Sequence, residues 1–135
     1  LFCGSGALGF EALSRGAAHT TFVDASRQAI DAVKHNAGLL SAEAIELHCS
    51  KIPDEHLHLS QSHFDIVFLD PPFLQGLIPQ AMTWLQQASL VDAETLIYFE
   101  VEKRGLQNLE SDKIEFYRLK KTKALAYGLL KLIDD

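Results

Sequence analysis

Cysteine is scarce in this sequence of 135 residues, which holds two cysteines, one methionine and one tryptophan. Cys3 and Cys49 stand far apart and lack the close spacing of a zinc knuckle or a redox pair. We therefore expect two buried, unpaired thiols in a reducing compartment. No apolar run approaches the ~18 residues that a membrane-spanning helix needs. The sequence thus predicts a cytoplasmic protein without a membrane span.

Positive charge is also scarce, because 12 Lys and Arg residues face 18 Asp and Glu residues, for a net charge of −6. This negative net charge argues against a domain that binds nucleic acid over its whole surface. Any nucleic-acid contact should be confined to a small part of the surface or lie in a part of the protein outside these 135 residues. The dense basic cluster comprises Arg118, Lys120, Lys121 and Lys123. We interpret it as protection of a sheet edge, slightly ahead of phosphate binding.

Short β-rich runs alternate with helical stretches along the chain. Strands are expected at 20–23, 44–49, 64–69 and 94–102, helices at 7–15, 26–38 and 77–89, and a hairpin at 113–120 and 124–133. Gly16 and Gly38 should end the first two helices, and Ser26 should cap the second. The run at 64–69 looks buried on both faces. This pattern predicts an α/β fold with a doubly wound, mostly parallel sheet and a C-terminal antiparallel hairpin.

The sequence begins at Leu1 with residues that resemble the end of a strand, so we expect its N-terminal strand and an upstream segment to be missing. Three stretches then follow strand ends: Phe2–Gly6, Val23–Ser26 and Leu69–Phe73. Ligands bind beyond the carboxyl ends of strands in parallel sheets. We expect these three stretches to line one crevice.

The glycines at 4, 6 and 9 form a G-x-G-x-x-G pattern, and Asp24 follows Gly4 by twenty positions. This arrangement is typical of a dinucleotide site, in which the acid accepts hydrogen bonds from a ribose. S-adenosylmethionine offers the same ribose without a pyrophosphate. The pattern alone leaves both cofactors open.

The stretch Asp70-Pro71-Pro72-Phe73 favours S-adenosylmethionine over a dinucleotide as the cofactor. Two prolines lack backbone donors and place this stretch at a strand exit, where its carbonyls are free of the sheet. The Asp70 carboxylate and the Pro71 carbonyl could accept both N–H bonds of a planar exocyclic amine, and so direct its lone pair towards an electrophile. Phe73 could stack on the base. The four residues therefore predict methylation of an amine.

Taken together, "FCGSGALGFEALSRGA" at 2–17, "FVDAS" at 22–26 and "DPPFLQGL" at 70–77 resemble the RsmD family of 16S ribosomal RNA guanine-N2 methyltransferases. The resemblance covers essentially the whole chain. It implies that residues 1–135 form a single class I, Rossmann-like domain that uses S-adenosylmethionine, releases S-adenosylhomocysteine and needs no metal. The implied partner is 16S rRNA in the small ribosomal subunit or an assembly intermediate, and the implied state is a monomer that binds no membrane.

The resemblance also implies roles for individual residues. The methionine part of the cofactor would be held by Phe2, Gly4, Ser5, Gly6 and Ala7. Asp24 would bind the ribose hydroxyls and Ala25 would lie against the adenine, while Ser50 is the nearest match for a residue that recognises the adenine amine. The catalytic group that holds the guanine would be Asp70, Pro71, Pro72 and Phe73.

Several alternatives stay open on the sequence alone. An adenine-N6 or protein-glutamine methyltransferase would also present a planar amine to Asp70. An NAD-binding oxidoreductase would share the glycine pattern, and a non-catalytic RNA-assembly module would share the fold. His56 and His58 invite a metal site, but they lie in a polar loop without a cysteine partner, so we expect none. Trp84 should pack within its helix.

Overall fold

A computed structural model describes residues 1–71 and 76–133 of the chain. The chain divides into two compact units, Leu1–Ser60 and Gln61–Asp135. Each unit combines helix with sheet. No helix in the described part of the chain is long and apolar enough to cross a membrane.

The first unit contains two helices and two parallel strands. They follow one another as α1 (Ala7–Ser14), β1 (Thr20–Asp24), α2 (Arg27–Leu40) and β2 (Ile45–Cys49). Strands β1 and β2 are in register from the pair Thr20 and Ile45 to the pair Asp24 and Cys49. Their carboxyl ends therefore lie side by side, as the sequence predicts for a βαβ unit.

Helix α2 begins where its sequence predicts and ends later. The Ala29 amide donates a hydrogen bond to the Ser26 hydroxyl at 3.2 Å, so the predicted cap is confirmed. The expectation that Gly38 ends the helix was wrong, because the helix continues to Leu40 and stops at Ser41, whose φ is +54°. A glycine in a helix interior costs about 1 kcal/mol relative to alanine. The burial of the apolar face of α2 stabilises the helix enough for it to continue past Gly38.

Over its described residues, the second unit has a four-stranded mixed sheet, one α-helix and one 3₁₀ helix. Its elements are β3 (Ile66–Leu69), α3 (Leu77–Gln87), β4 (Leu96–Glu102), a 3₁₀ helix (Lys103–Asn108), β5 (Ile114–Lys121) and β6 (Leu125–Leu132). The strand order is β3-β4-β6-β5. β3 is parallel to β4, whereas β6 is antiparallel to both β4 and β5. The predicted α/β class and the antiparallel hairpin are confirmed.

The core of the second unit includes buried side chains of α3 and of the strands. The buried helix residues are Ile78, Ala81, Met82, Trp84 and Leu85. Trp84 is thus a packing residue, as predicted. The expectation that 64–69 is buried on both faces was wrong: Val67 and Leu69 are buried, but Ile66 is 51% exposed. Side chains alternate along a strand, and within this stretch only one side is fully buried.

Candidate cofactor and substrate sites

The glycine loop of the first unit is held against β1 by backbone hydrogen bonds. The Cys3 amide donates to the Val23 carbonyl at 3.1 Å, and the Gly6 amide donates to the Cys3 carbonyl at 2.9 Å. Gly4 and Gly6 have φ values of +53° and +88°, in the left-handed region that glycine adopts without strain. The chain therefore turns sharply between Cys3 and the start of α1 at Ala7.

The other reason for glycine in this loop is close packing. A Cβ atom on Gly9 would lie 2.2 Å from the Phe22 ring, and one on Gly6 would lie 2.9 Å from the Phe10 ring. A Cβ on Gly4 would meet nothing within 4 Å, and Gly4 is exposed. Gly9 thus lets α1 approach β1 closely, Gly6 leaves room for the Phe10 ring, and Gly4 leaves open space in front of the loop.

Asp24 lies at the end of β1 and accepts two backbone hydrogen bonds. Its Oδ2 accepts from the Gly4 amide at 3.0 Å, and its Oδ1 accepts from the Ser26 amide at 2.9 Å. These donors fix the carboxylate between the glycine loop and the cap of α2. Each carboxylate oxygen has a second lone pair. The fixed carboxylate therefore retains acceptors for a pair of ribose hydroxyls.

The structure also places the remaining candidates for cofactor binding in the first unit. Phe2 precedes the loop with a φ of +57°, and Ala7 is the first residue of α1. The Ser5 carbonyl accepts a hydrogen bond from Asn36 Nδ2 at 3.2 Å, which ties the loop to α2. The Ala25 carbonyl accepts from the Cys49 thiol at 3.5 Å.

The two cysteines are unpaired, as predicted, but only one is partly buried. Cys49 is exposed, so the expectation of two buried thiols was wrong for it. It is the last residue of β2, where the strand leaves the sheet. The pKa of the Cys3 thiol is raised to about 11 by burial and, second, by the charge of Asp24. Cys3 therefore stays protonated beside the loop at neutral pH.

Ser50 lies next to Asp24 but is itself engaged by another acid. Its amide donates to the Asp24 carbonyl at 2.9 Å, and its hydroxyl donates to Asp54 Oδ2 at 2.7 Å. The hydrogen bond from Ser50 is the main cause that lowers the pKa of Asp54. Asp54 is thus an ionised acid near the end of β2 that sequence reasoning missed, since four residues separate it from the strand.

In the second unit, Asp70 is the residue directly after β3. Its side chain is exposed, and among the described residues no hydrogen bond reaches its carboxylate. Partial burial raises the pKa of Asp70 above the ordinary aspartate value. Pro71 is buried beside it. Pro72 and Phe73, the other two predicted catalytic residues, lie outside the described residues.

Two further polar groups accompany Asp70, and the sequence analysis did not single them out. β3 and β4 are parallel, with Leu69 paired to Phe99, so Glu100 follows Phe99 where Asp70 follows Leu69. The Tyr98 hydroxyl lies 3.4 Å from Glu100 Oε2. Burial, followed by the charges of Glu100 and Asp70, raises the pKa of Tyr98. The alternation in "YFE" was the available signal, because it places Tyr98 and Glu100 on one side of β4.

A cleft of about 510 Å³ opens beside Pro71 in the second unit. This volume lies within the range of small-molecule sites in proteins. Most of its polar lining comes from the end of β4 and the 3₁₀ helix: Glu100, Glu102, Arg104 and Asn108. Arg104 Nε donates to Glu102 Oε2 at 3.0 Å. Both charges and amides are therefore available to a polar planar ligand.

Metal-binding residue types do not cluster in the part of the chain that the structure describes. There, no group of three or more His, Cys, Asp or Glu side chains comes together.

The arrangement of elements defines a Rossmann-like methyltransferase fold, and solved structures of similar chains agree. A candidate methylase from Haemophilus influenzae has a TM-score of 0.86 at 33% identity, over 98% of this chain and 84% of the other. A candidate methyltransferase from Escherichia coli has a TM-score of 0.83 at 32% identity, over 99% of this chain and 73% of the other.

Residues 1–131 match the family described as conserved hypothetical protein 95, and the chain belongs to that family. The resemblance to the RsmD family is thereby confirmed. The chain is 40% identical over 105 residues to ribosomal RNA small subunit methyltransferase D of H. influenzae, and 34% identical over 129 residues to the E. coli protein of that name. These matches cover 76% and 95% of this chain. The matched parts span only 54% and 64% of the relatives.

Proposed function

We propose that this chain transfers a methyl group from S-adenosylmethionine to the N2 amine of a guanine in 16S ribosomal RNA. The observation that carries the proposal is the Asp70 carboxylate. It follows a strand, precedes a proline, has a raised pKa and accepts no hydrogen bond from the described residues. The names of the relatives, ribosomal RNA small subunit methyltransferase D, support RNA as the substrate.

The cofactor would be bound by the first unit. Gly4, Ser5, Gly6 and Ala7 form a tight loop with open space in front of Gly4, which suits the methionine part of S-adenosylmethionine. Asp24 is held by two backbone donors and retains acceptors for the ribose hydroxyls. When bound, the cofactor supplies a methyl group on a sulfonium centre.

The adenine end of the cofactor would lie near Ala25 and the end of β2. In this proposal the hydroxyl of Ser50 is already donated to Asp54. An adenine amine is a donor, and the ionised Asp54 is the stronger acceptor of the two. We therefore add Asp54 to the residues that would recognise the adenine.

In the proposed reaction the second unit has two tasks, to position the guanine amine and to accept one proton from it. The lone pair of a guanine N2 amine is delocalised into the ring and attacks poorly. Hydrogen bonds from the amine to the Asp70 carboxylate and the Pro71 carbonyl would localise that lone pair and stabilise the positive charge that develops on nitrogen. Asp70 would then take the departing proton, for which its raised pKa is suited.

The substrate would be 16S rRNA within the small ribosomal subunit or an assembly intermediate, and the target base must leave its stack to reach Asp70. In the proposal the protein acts as a cytoplasmic monomer. It needs no metal, because methyl transfer from a sulfonium requires positioning and an acceptor for one proton.

The proposal is tested by calorimetric titration with S-adenosylhomocysteine and NAD, followed by methyl mapping. We expect S-adenosylhomocysteine to bind and NAD to give no heat. On small subunits that lack the modification, labelled methyl should appear at guanine N2. Binding of NAD alone would replace the proposal with an oxidoreductase. Label at adenine N6 or on a glutamine amide would keep the cofactor and overturn the substrate.

A further inference from the structure

The C-terminal hairpin carries an unusual share of the positive charge. Five of the chain's 12 Lys and Arg residues lie in residues 118–133, and that stretch contains no Asp or Glu. The chain as a whole has a net charge of −6. The hairpin is therefore a positive region on a protein that otherwise repels polyanions.

Three of these cations share one face of the sheet. Arg118 is paired with Leu129 and Lys120 with Tyr127 across the antiparallel strands. Paired residues project to the same side, and so do residues two apart in one strand, which adds Lys131 to that side. We call Tyr117, Arg118, Lys120 and Lys131 the basic hairpin face; one acid of β5, Glu115, is paired with Lys131 and lies on the same side.

Tyr117 belongs to this face because β5 has a bulge. The register shifts between Phe116 and Arg118, so that Tyr117 is the extra residue. Its side chain is 59% exposed. Its ring centroid lies 5.9 Å from Arg118 Cζ and 5.9 Å from Lys131 Nζ, within the range of cation–π contacts. The ring therefore holds two of the cations on the surface.

Gly128 makes this local geometry possible. A Cβ atom at position 128 would lie 2.0 Å from the Arg118 carbonyl oxygen and 2.8 Å from its carbonyl carbon. Any other residue would push β5 away from β6 at the bulge. The sequence thus combines a bulge in one strand with a glycine in the other, and a bulge of this kind redirects a side chain.

The cations of the hairpin are not used to neutralise acids in the described residues. Ion pairs there involve Arg15 with Glu11 and Arg104 with Glu102, but none of the five hairpin cations. Arg118 and Lys120 are exposed, and Lys131 is half-buried. The charges of Arg118 and Lys120 are consequently available to a ligand, whereas Lys131 is paired with Glu115 across the strands.

We infer that the basic hairpin face binds the phosphates of the RNA that carries the target base. The inference rests on the proposed function, because it assumes an RNA substrate. Phosphate contacts by Lys and Arg supply most of the sequence-independent affinity of nucleic-acid binding. Arg118 and Lys120 are about 7 Å apart along the strand. That spacing is comparable to the separation of neighbouring phosphates in a nucleic-acid strand.

Protection of the sheet edge is the competing role, and the structure favours phosphate binding over it. β5 is the last strand of its sheet, so its outer edge needs protection. The bulge at Tyr117 already interrupts that edge. Arg118, Lys120 and Lys131 project from a face of the sheet and not along its edge, and two of them are held by the same ring.

The test compares two double variants that remove the same charge. R118Q/K120Q changes the basic hairpin face, whereas R15Q/K34Q removes two exposed cations of the first unit, one just after α1 and one in α2. Binding of fluorescently labelled 16S rRNA is titrated at several salt concentrations. We expect the hairpin variant to bind about tenfold more weakly near 0.15 M salt, with a salt slope smaller by roughly two. The helix variant should bind like the unchanged protein.

Methylation kinetics on small subunits add a second readout. The hairpin variant should raise KM for the subunit and leave kcat unchanged, because the phosphate contacts do not involve the reacting amine. R118K/K120R should retain RNA affinity, which shows that charge is what matters. Y117A should weaken binding and Y117F should not, if the ring positions the cations.

Equal RNA affinity of the two double variants would overturn the inference. Equal affinity together with new self-association of R118Q/K120Q would assign the cations to edge protection instead. The proposed function fails separately: unchanged protein that methylates no subunit would contradict it. Methylation with unaltered kinetics in R118Q/K120Q would contradict only the role of the hairpin.

Discussion

The two candidate sites contain carboxylates in opposite states. Asp24 in the first unit accepts two backbone hydrogen bonds, at 3.0 and 2.9 Å. Asp70 in the second unit accepts none from the described residues, and its pKa is raised by partial burial. A fixed and satisfied carboxylate suits the recognition of a ligand that stays unchanged. A partly buried carboxylate with spare acceptors and a raised pKa suits a group that exchanges protons with its ligand.

The largest effect is expected from Asp70→Asn. Asparagine retains one acceptor but cannot take a proton, so kcat should fall by about 10² to 10⁴. The affinity for S-adenosylhomocysteine, measured by calorimetry, should not change. Normal turnover of the variant on small subunits would remove Asp70 from the catalytic role.

The same variant also tests the raised pKa. A carboxyl whose pKa is higher in the folded state stabilises the fold at low pH and loses that contribution as pH rises through the folded value. At neutral pH the charged Asp70 is therefore unfavourable, and Asp70→Asn should leave the thermal unfolding temperature unchanged or slightly higher. A clear fall in that temperature would mean that Asp70 is structural.

Asp24→Asn should have the next largest effect, on cofactor affinity. The amide has one acceptor oxygen in place of two, so the loop loses a charge-assisted bond and the ribose loses an acceptor. The Kd for S-adenosylhomocysteine should rise about tenfold or more. Asp31→Asn, an exposed acid in α2, is the matched control and should bind as before. Equal Kd values for both variants would contradict the ribose role.

The first site was easier to predict from sequence than the second. Short sequence signals identify its candidates: the glycines at 4, 6 and 9, the acid at the end of β1 and the cap at Ser26. The prediction that α2 ends at Gly38 was wrong because the burial of the apolar face of α2 outweighs the tendency of glycine to end a helix. Tyr98 and Glu100 were not recognised as partners of Asp70, because they reach it only through the pairing of β3 with β4.

The hairpin shows the same limit. The basic cluster was visible in the sequence, but its division between a face and an edge depended on the bulge at Tyr117. A bulge shifts every following residue to the other side of the strand. Asp54 was missed for a related reason, since a loop returns it to Ser50 and no periodic pattern describes that return.

Gly9→Ala should lower the free energy of unfolding, by less than a substitution that leaves a cavity in the core and by more than a substitution on the surface. The new methyl group would meet the Phe22 ring at 2.2 Å, and overpacking of this kind costs about 1 to 3 kcal/mol. Thermal unfolding should show a fall of several degrees. Gly38→Ala is the control: its Cβ meets nothing within 4 Å inside α2, so it should raise stability slightly. Similar unfolding temperatures would show that α1 does not need its close approach to β1.

The smallest effect is expected from Glu100→Gln. Burial is the main cause that raises the pKa of Tyr98, and the charge of Glu100 comes second. Removing that charge should lower the pKa of Tyr98 towards 10.0 without reaching it, because the burial remains. NMR titration of ring-labelled tyrosine measures the shift, and Glu94→Gln, at an exposed position before β4, is the control. An unchanged Tyr98 pKa would separate Tyr98 from Glu100, and Asp70 would then act without this pair beside it.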